Sequence, residues 1–235
     1  MLIVLKTRNN YYNMAIIVHS PTILTLLGAA PTHFRHVKQA LSLAPILVAA
    51  DGGAELALKN GVAPAAVIGD LDSLPSAVRE AIPAKQLHQI AEQDSTDFDK
   101  CLRSIEAPAI LAVGFTGGRL DHQLAACSSL IRFRRKRVFM LSEDDICFAC
   151  PPNLKLDLPN GMRFSIYPMS PFCGQSRGLA YHIDGLALEP AGVVGTSNEV
   201  TGPVEVQIEQ GEALIILPRG CLGTVLEQLV EPPQK

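Results

Sequence analysis

Short apolar runs that stop abruptly at glycine or aspartate, each followed by a stretch of helical spacing, recur through the first half of the chain. Residues 22–27 (TILTLL) give way to Gly28, residues 46–50 (ILVAA) to Asp51, Gly52 and Gly53, residues 65–68 (AAVI) to Gly69 and Asp70, and residues 110–113 (ILAV) to Gly114. Residues 138–141 (VFML) form another such run. A strand buried on both faces needs no polar alternation, so runs this short and this apolar read as central strands of a covered sheet. Between them, residues 32–43 set Phe34, Val37, Ala40 and Leu41 on one side of a helix. Residues 54–60 read as a short helix closed by Gly61, and 98–105 and 124–133 as two more. Strands alternating with helices require crossover connections and a mostly parallel sheet.

The second half changes character. Residues 154–158, 163–167, 186–188, 204–208 and 213–217 read as short strands, with hairpin signals at 159–161 (PNG) and 210–211 (QG). No long amphipathic helix is evident there, which favours a β-sandwich or barrel-like unit. The fold class expected is therefore α/β: an N-terminal, mostly parallel, Rossmann-like α/β domain over 1–143, followed by a smaller C-terminal β-sandwich domain over 144–235.

Bulk properties exclude several function classes. At 48% hydrophobic and 18% charged residues the chain has ample material for a core. A formal charge of −3 lacks the basic surface of a general nucleic-acid binder. The basic run at 132–137 (RFRRKR) reads as a helix C-terminus, where cations complement exposed carbonyls. No stretch has the length and apolarity of a membrane span, and no secretory leader is recognisable, so a cytoplasmic location is expected. Residues 1–13 read as an irregular extension, with Met14 a possible alternative start. The six scattered cysteines read as reduced thiols, and the pair Cys147 and Cys150 has no partner set at zinc spacing.

Acidic residues gather where ligands bind in an open α/β sheet, beyond the carboxyl ends of its strands. Asp51 follows one strand, Asp70 and Asp72 another, and Asp121 comes shortly after a third. The segment 93–97 (QDSTD) adds more acid ahead of a helix. Carboxylates converging on one edge suit a hard cation with oxygen ligands, and Mg²⁺ commonly brings phosphate with it. Backbone amides at Gly52, Gly53, Gly117 and Gly118 can approach phosphate closely, and Arg119 can supply a planar cationic fork. Blander roles stand beside these: Asp94, Thr96 and Asp97 are natural helix caps, and the histidines form no spaced ligand set.

In sequence order, "ADGGAELAL" at 49–57, "VIGDLDS" at 67–73, "QDSTDFDKCL" at 93–102, "GGRLDH" at 117–122 and "SNE" at 197–199 resemble the successive motifs of the thiamine pyrophosphokinase family. The match covers most of the chain. The resemblance implies transfer of a pyrophosphoryl group from ATP to the hydroxyl of thiamine, with release of AMP, and an α/β nucleotide-binding domain joined to a β-sandwich. By that similarity Asp70, Asp72, Asp97 and Asp121 take the catalytic, Mg²⁺-holding positions. Asp51, Gly52, Gly53, Gly117, Gly118 and Arg119 bind ATP, while Gln93, Ser197 and Asn198 bind thiamine. It also implies a homodimer with the active site between subunits, the α/β domain of one facing the β-domain of the other. The chain departs from the pattern in having no tryptophan to stack on thiamine, leaving Tyr181 and Phe172 as aromatic candidates. Rival readings are a dehalogenase-fold phosphatase using the DxD of GDLDS, a pyrophosphokinase acting on another heterocyclic alcohol such as a pterin, and a non-catalytic thiamine- or nucleotide-binding protein.

Overall fold

The structure, a computed structural model, describes residues 15–230; the extension expected at 1–13 and the alternative start at Met14 lie outside them. The first half runs β1 (Val18–His19), β2 (Leu24–Leu27), α1 (Phe34–Leu43), β3 (Ile46–Ala50), α2 (Gly53–Lys59), β4 (Ala66–Gly69), α3 (Ser76–Ala81) and β5 (Leu87–Gln89). It continues through α4 (Asp97–Ser104), β6 (Ile105–Glu106), β7 (Ile110–Val113), α5 (Leu120–Arg132) and β8 (Val138–Leu141). Strands β8, β7, β2, β3, β4 and β5 lie side by side in that order, every neighbouring pair parallel. Apart from Ile46, the residues of β2, β3, β4, β7 and β8 are buried, because helices cover both faces. On one face Val37 and Ala40 of α1 and Ala54 and Ala57 of α2 pack with Leu27, Leu47, Val67 and Val113. On the other, Phe98 and Leu102 of α4 and Ala126 and Leu130 of α5 pack with Leu24, Leu26, Ile68 and Ala112. Each such aliphatic side chain withdrawn from water contributes roughly 1.5–3 kcal/mol.

Chain order reverses at β2: α1 leaves it on one face toward β3, while its other neighbour β7 leads into α5 on the opposite face. Crossovers that diverge to opposite faces leave a cleft between the carboxyl ends of two adjacent strands, here β2 and β7. Gly28 and Gly114 follow those two strands, and their backbones nearly touch. A Cβ at Gly28 would lie 2.4 Å from Gly114 O, and one at Gly114 2.6 Å from Gly28 O, so only glycine fits there.

The second half comprises β9 (Asp145–Ala149), β10 (Asn153–Leu156), β11 (Arg163–Pro168), β12 (Cys173–Leu179), β13 (Gly195–Gln210), β14 (Ala213–Pro218) and α6 (Leu222–Leu229). It does not begin a separate sheet. Strand β9 pairs antiparallel with β8, then β14, β11 and the start of β13 extend the same sheet outward. The result is one large mixed sheet in an α/β fold. The sixteen-residue β13 pairs β11 through 195–199, then β10 and β12 through its later residues. Leu154, Val204, Val206 and Leu179 from that second layer share a core with Ile146, Phe148, Phe164 and Ile215.

Two turn expectations fail for this reason. Strands β10 and β11 are joined through 159–161 but are not partners, since β13 lies between them; β13 and β14, joined through 210–212, are separated by β11. Neither turn closes a hairpin, because β13 inserts between β10 and β11, and β11 in turn inserts between β13 and β14. Residues 186–188 contribute only an isolated bridge between Leu188 and Phe172. The buried Arg219 ties the halves together: it donates to Gln39 Oε1 at 2.9 Å and His36 O at 3.2 Å on α1, and to Ser142 O at the β8–β9 turn. The basic run begins where α5 ends, as read, and several of its cations are engaged by the fold. Arg132 pairs with Asp99, Arg134 with Glu212, and Lys136 donates to Ile105 O.

Candidate active site

A cavity of about 700 Å³ opens at the carboxyl edge of the parallel strands. Asp51 follows β3, Asp70 and Asp72 follow β4, Asp97 opens α4, and Gly28 and Gly114 stand where β2 and β7 diverge. Carboxylate oxygens of Asp51, Asp70 and Asp97 all lie within 4.8 Å of one another. The local backbone is bent to bring them there. Asp51 (φ 41°) and Leu71 (φ 61°) occupy the left-handed region, which costs non-glycine residues of the order of 1 kcal/mol and is concentrated at functional sites. A Cβ at Gly69 would sit 2.8 Å from Asp51 Cβ, so a bare backbone there lets β4 carry Asp70 alongside Asp51. Helix α4 starts where it does because Thr96 caps it, its hydroxyl accepting from Asp99 N while the Asp99 carboxylate accepts from Thr96 N. That fixes Asp97 at the first turn, facing the strand ends.

The three carboxylates differ in their electrostatics. Asp51 is buried, with Oδ2 accepting from Ser73 Oγ and Oδ1 left without any hydrogen-bond partner. Burial pushes its carboxyl above the ordinary range, the neighbouring Asp97 and Asp70 add to the shift, and the Ser73 bond opposes it. Burial also acts to raise Asp70, but hydrogen bonds from Asp72 N and from Lys100 outweigh it and hold Asp70 below the ordinary range. Lys100 Nζ lies 3.2 Å from Asp70 Oδ2 and 2.9 Å from Asp97 Oδ1. The exposed Asp72 is raised by its hydrogen-bonded contact with, and repulsion from, the Asp70 carboxylate. Oxygen-only donors around an orphaned buried carboxylate oxygen are what a hard divalent cation requires, so the residues present fit one.

Of the residues expected at the ATP and metal site, Gly52, Gly118 and Arg119 also line this cavity, and so does Gln93, expected at the thiamine ring, whose amide donates to Asp70 Oδ2 at 3.4 Å. Three do not line it. Gly53 is buried against β2, where a Cβ would lie 2.1 Å from Leu27 O. Gly117 donates its N–H to Gln123 Oε1 at 3.2 Å. Asp121 stands outside the carboxylate cluster, exposed and gripped by Arg119 through bonds of 3.1 and 2.6 Å, which hold it below the ordinary carboxylate range.

Ser197 and Asn198 lie elsewhere, on β13. Asn198 borders a second cavity of about 200 Å³, which shares no lining residue with the first. Its side chain is buried: Oδ1 accepts from Tyr181 N and Glu199 N at 2.9 Å each, and one Nδ2 hydrogen is donated to Tyr181 O at 2.6 Å. Ser197 is exposed, has φ 58°, and donates its N–H to Ser165 Oγ at 3.0 Å. Of the aromatic candidates, Phe172 is 2% exposed and closed off in the core, while Tyr181 is 72% exposed at the second cavity.

Three residues at the main cavity carried no expectation from sequence. They are Lys100, Ser73, and Phe115, whose ring lies 4.2 Å from that of Phe98. A signal existed for Lys100 alone: it follows Asp97 by three positions, one turn along the same helix face.

An α/β sheet whose carboxyl edge gathers three carboxylates, a lysine and glycine-flanked backbone around one cleft has the donor set that fits a cation beside an anionic ligand. The sequence profile described as "Thiamin pyrophosphokinase, catalytic domain" matches residues 37–141. Thiamin pyrophosphokinase 1 of Caenorhabditis elegans is 33% identical over 174 residues, 66% of this chain and 71% of that protein. Thiamine pyrophosphokinase 1 of Arabidopsis thaliana is 27% identical over 80% of this chain and 87% of its own length. Thiamine pyrophosphokinase 1 of rice is 30% identical, with 59% of its length covered. Among solved structures, thiamin pyrophosphokinase from Geobacillus thermodenitrificans superposes with a TM-score of 0.70 at 21% identity, covering 86% of this chain and all of that one. The yeast enzyme superposes at 0.68 and 17% identity, covering 93% and 91%. The chain belongs to the thiamin pyrophosphokinase family.

Proposed function

We propose that this chain transfers a pyrophosphoryl group from ATP to the hydroxyl of thiamine, giving thiamine diphosphate and AMP. The observation that carries the reading is the meeting of Asp51, Asp70 and Asp97 in the cavity at the carboxyl edge of the parallel strands, within a member of this family. Asp51, Asp70 and Asp97 would hold Mg²⁺, with Asp72 beside them. The ion supplies charge neutralisation of the triphosphate and of the departing AMP. The remaining work falls to the chain. Backbone amides at Gly52 and Gly118 approach phosphate oxygens. Arg119 exchanges Asp121 for phosphate at small cost, because the pair is exposed and such pairs contribute only about 0–1 kcal/mol. Asp121, freed from Arg119, turns toward the cluster. The hydroxyl oxygen attacks the β-phosphorus, the bond from that phosphorus to the AMP oxygen breaks, and the hydroxyl proton leaves to solvent or a cluster carboxylate.

Residues 1–143 form the nucleotide- and metal-binding unit in this reading, and 144–235 a β-sandwich acceptor unit. Ser197 and Asn198 take the aminopyrimidine edge, and Tyr181, held through its backbone by Asn198, offers the ring face that tryptophan would otherwise supply. Asn198 and Tyr181 border a cavity separate from the carboxylates, which supports a homodimer in which each site is completed by the partner subunit. Exposed Leu120 and Leu124 on α5, beside the main cavity, and Tyr181, Leu186 and Val193 at the second are the faces such a dimer would cover. Incubation with ATP, Mg²⁺ and thiamine, followed by separation of products, tests the reading. AMP with thiamine diphosphate is expected; ADP with thiamine monophosphate would refute it.

A further inference from the structure

Lys100 is the one charged residue among the largest fully buried side chains of the described residues, 1% exposed, and it lines the main cavity. Burying an ammonium costs several kcal/mol unless it is paired. Here it is paired twice, with one oxygen of Asp70 and one of Asp97. Among the three mutually close carboxylates, Asp70, Asp97 and Asp51, the single ammonium offsets one negative charge and leaves two, the exposed Asp72 lying outside this set. That remainder equals the charge of one divalent ion. The engaged oxygens are Asp70 Oδ2, Asp97 Oδ1 and, through Ser73, Asp51 Oδ2, whereas Asp51 Oδ1 is buried with no partner.

We propose that Lys100 is a fixed internal cation that matches the carboxylate cluster to a single divalent ion and holds Asp70 and Asp97 in place for it. The inference rests on reading the cluster as the metal site. Lys100 is a positioning residue: it acts through Asp70 and Asp97. Its charge opposes a metal ion, so metal affinity is set lower than three carboxylates alone would give. In exchange, the carboxylates stay aligned when the ion leaves with product.

The test is direct titration of the full chain with Mn²⁺, free of nucleotide, followed by the electron paramagnetic resonance of unbound Mn²⁺. The unaltered protein should bind one ion at this site. Lys100→Met should bind Mn²⁺ at least about tenfold more tightly, a change of ~1.4 kcal/mol, while turnover falls by about a hundredfold or more. Lys100→Arg, which keeps the charge, should retain affinity near that of the unaltered protein. A merely structural lysine gives the opposite sign, since a disordered cluster binds metal more weakly. If Lys100→Met does not fold in chelator, its refolding in Mn²⁺ should follow the same order, metal raising its melting temperature more than that of the unaltered chain. Affinity in Lys100→Met equal to or weaker than in the unaltered protein, with that protein binding one ion, would overturn the role of Lys100 alone. An unaltered protein that binds no Mn²⁺ would overturn the metal reading as well.

Discussion

Replacing Asp51 by Asn should stabilise the metal-free protein while abolishing its response to metal. Asp51 is 6% exposed, one of its oxygens has no partner, and two other carboxylates have oxygens within 4.8 Å. The unsatisfied buried polar atom, costing about 1–3 kcal/mol, remains in the amide, so the gain must come from removing the charge. Two like charges about 5 Å apart at an effective dielectric of about 20 repel by ~3 kcal/mol. Lys100 and solvent reaching the partly exposed Asp70 and Asp97 cancel much of this, so a net gain of about 1–2 kcal/mol is expected for the neutral, isosteric amide. In a chain of this size 1 kcal/mol moves the melting temperature by about 2–4 °C, so the shift should be about 2–8 °C upward.

The pH dependence has a definite sign. Because the folded-state pKa of Asp51 is raised, its contribution to stability is full below the unfolded value of about 3.9 and is lost as pH rises through the folded value. Asp70, held low, contributes in the other sense, but it is present in both proteins and drops out of the comparison. The advantage of Asp51→Asn in chelator should therefore grow as pH rises above about 4. Scanning calorimetry in chelator and in excess Mg²⁺ measures both effects. A variant that melts at or below the parental temperature in chelator, or keeps the parental Mg²⁺-dependent rise, would contradict the electrostatic account of the cluster.

Asp72→Asn and Asp121→Asn should each lower turnover by orders of magnitude with melting temperatures within about 2 °C of the parent, because both carboxylates are exposed; near-parental turnover at saturating Mg²⁺ would remove the residue from the metal and phosphate machinery. Ser197→Ala should raise the KM for thiamine more than that for ATP, as steady-state kinetics would show. Asn198→Ala should do the same and also cost about 1–3 kcal/mol in denaturant unfolding, since it strands the backbone groups of Tyr181. Gly28→Ala should destabilise by about 1–3 kcal/mol or more, because its Cβ would meet Gly114 O at 2.4 Å; parental stability would show that β2 and β7 can separate freely.

The parallel half of the fold was legible because each signal there is local. An apolar run such as 46–50 can only be a strand covered on both faces, and the helix start at Thr96 is written in a capping box. The second half was less legible. Hairpin chemistry at 159–161 and 210–211 describes a turn, but which strands pair across it depends on β13, whose sixteen residues carry no single periodic pattern. At the site, motif order placed Asp70, Asp97 and Gln93 at one cavity, yet residue type alone could not separate Asp51, which joins the carboxylate cluster, from Asp121, which faces solvent in the grip of Arg119.

By itself, then, the sequence determined the strand–helix alternation, the acidic edge and the family, because these rest on neighbours along the chain and on motifs in order. Tertiary structure alone decided that Asp51 keeps an orphaned oxygen, that Lys100 bridges Asp70 and Asp97, and that Asn198 borders a different cavity. Those outcomes depend on where separate strands end in space. The desolvation and charge they impose on one another exist only once the sheet has assembled.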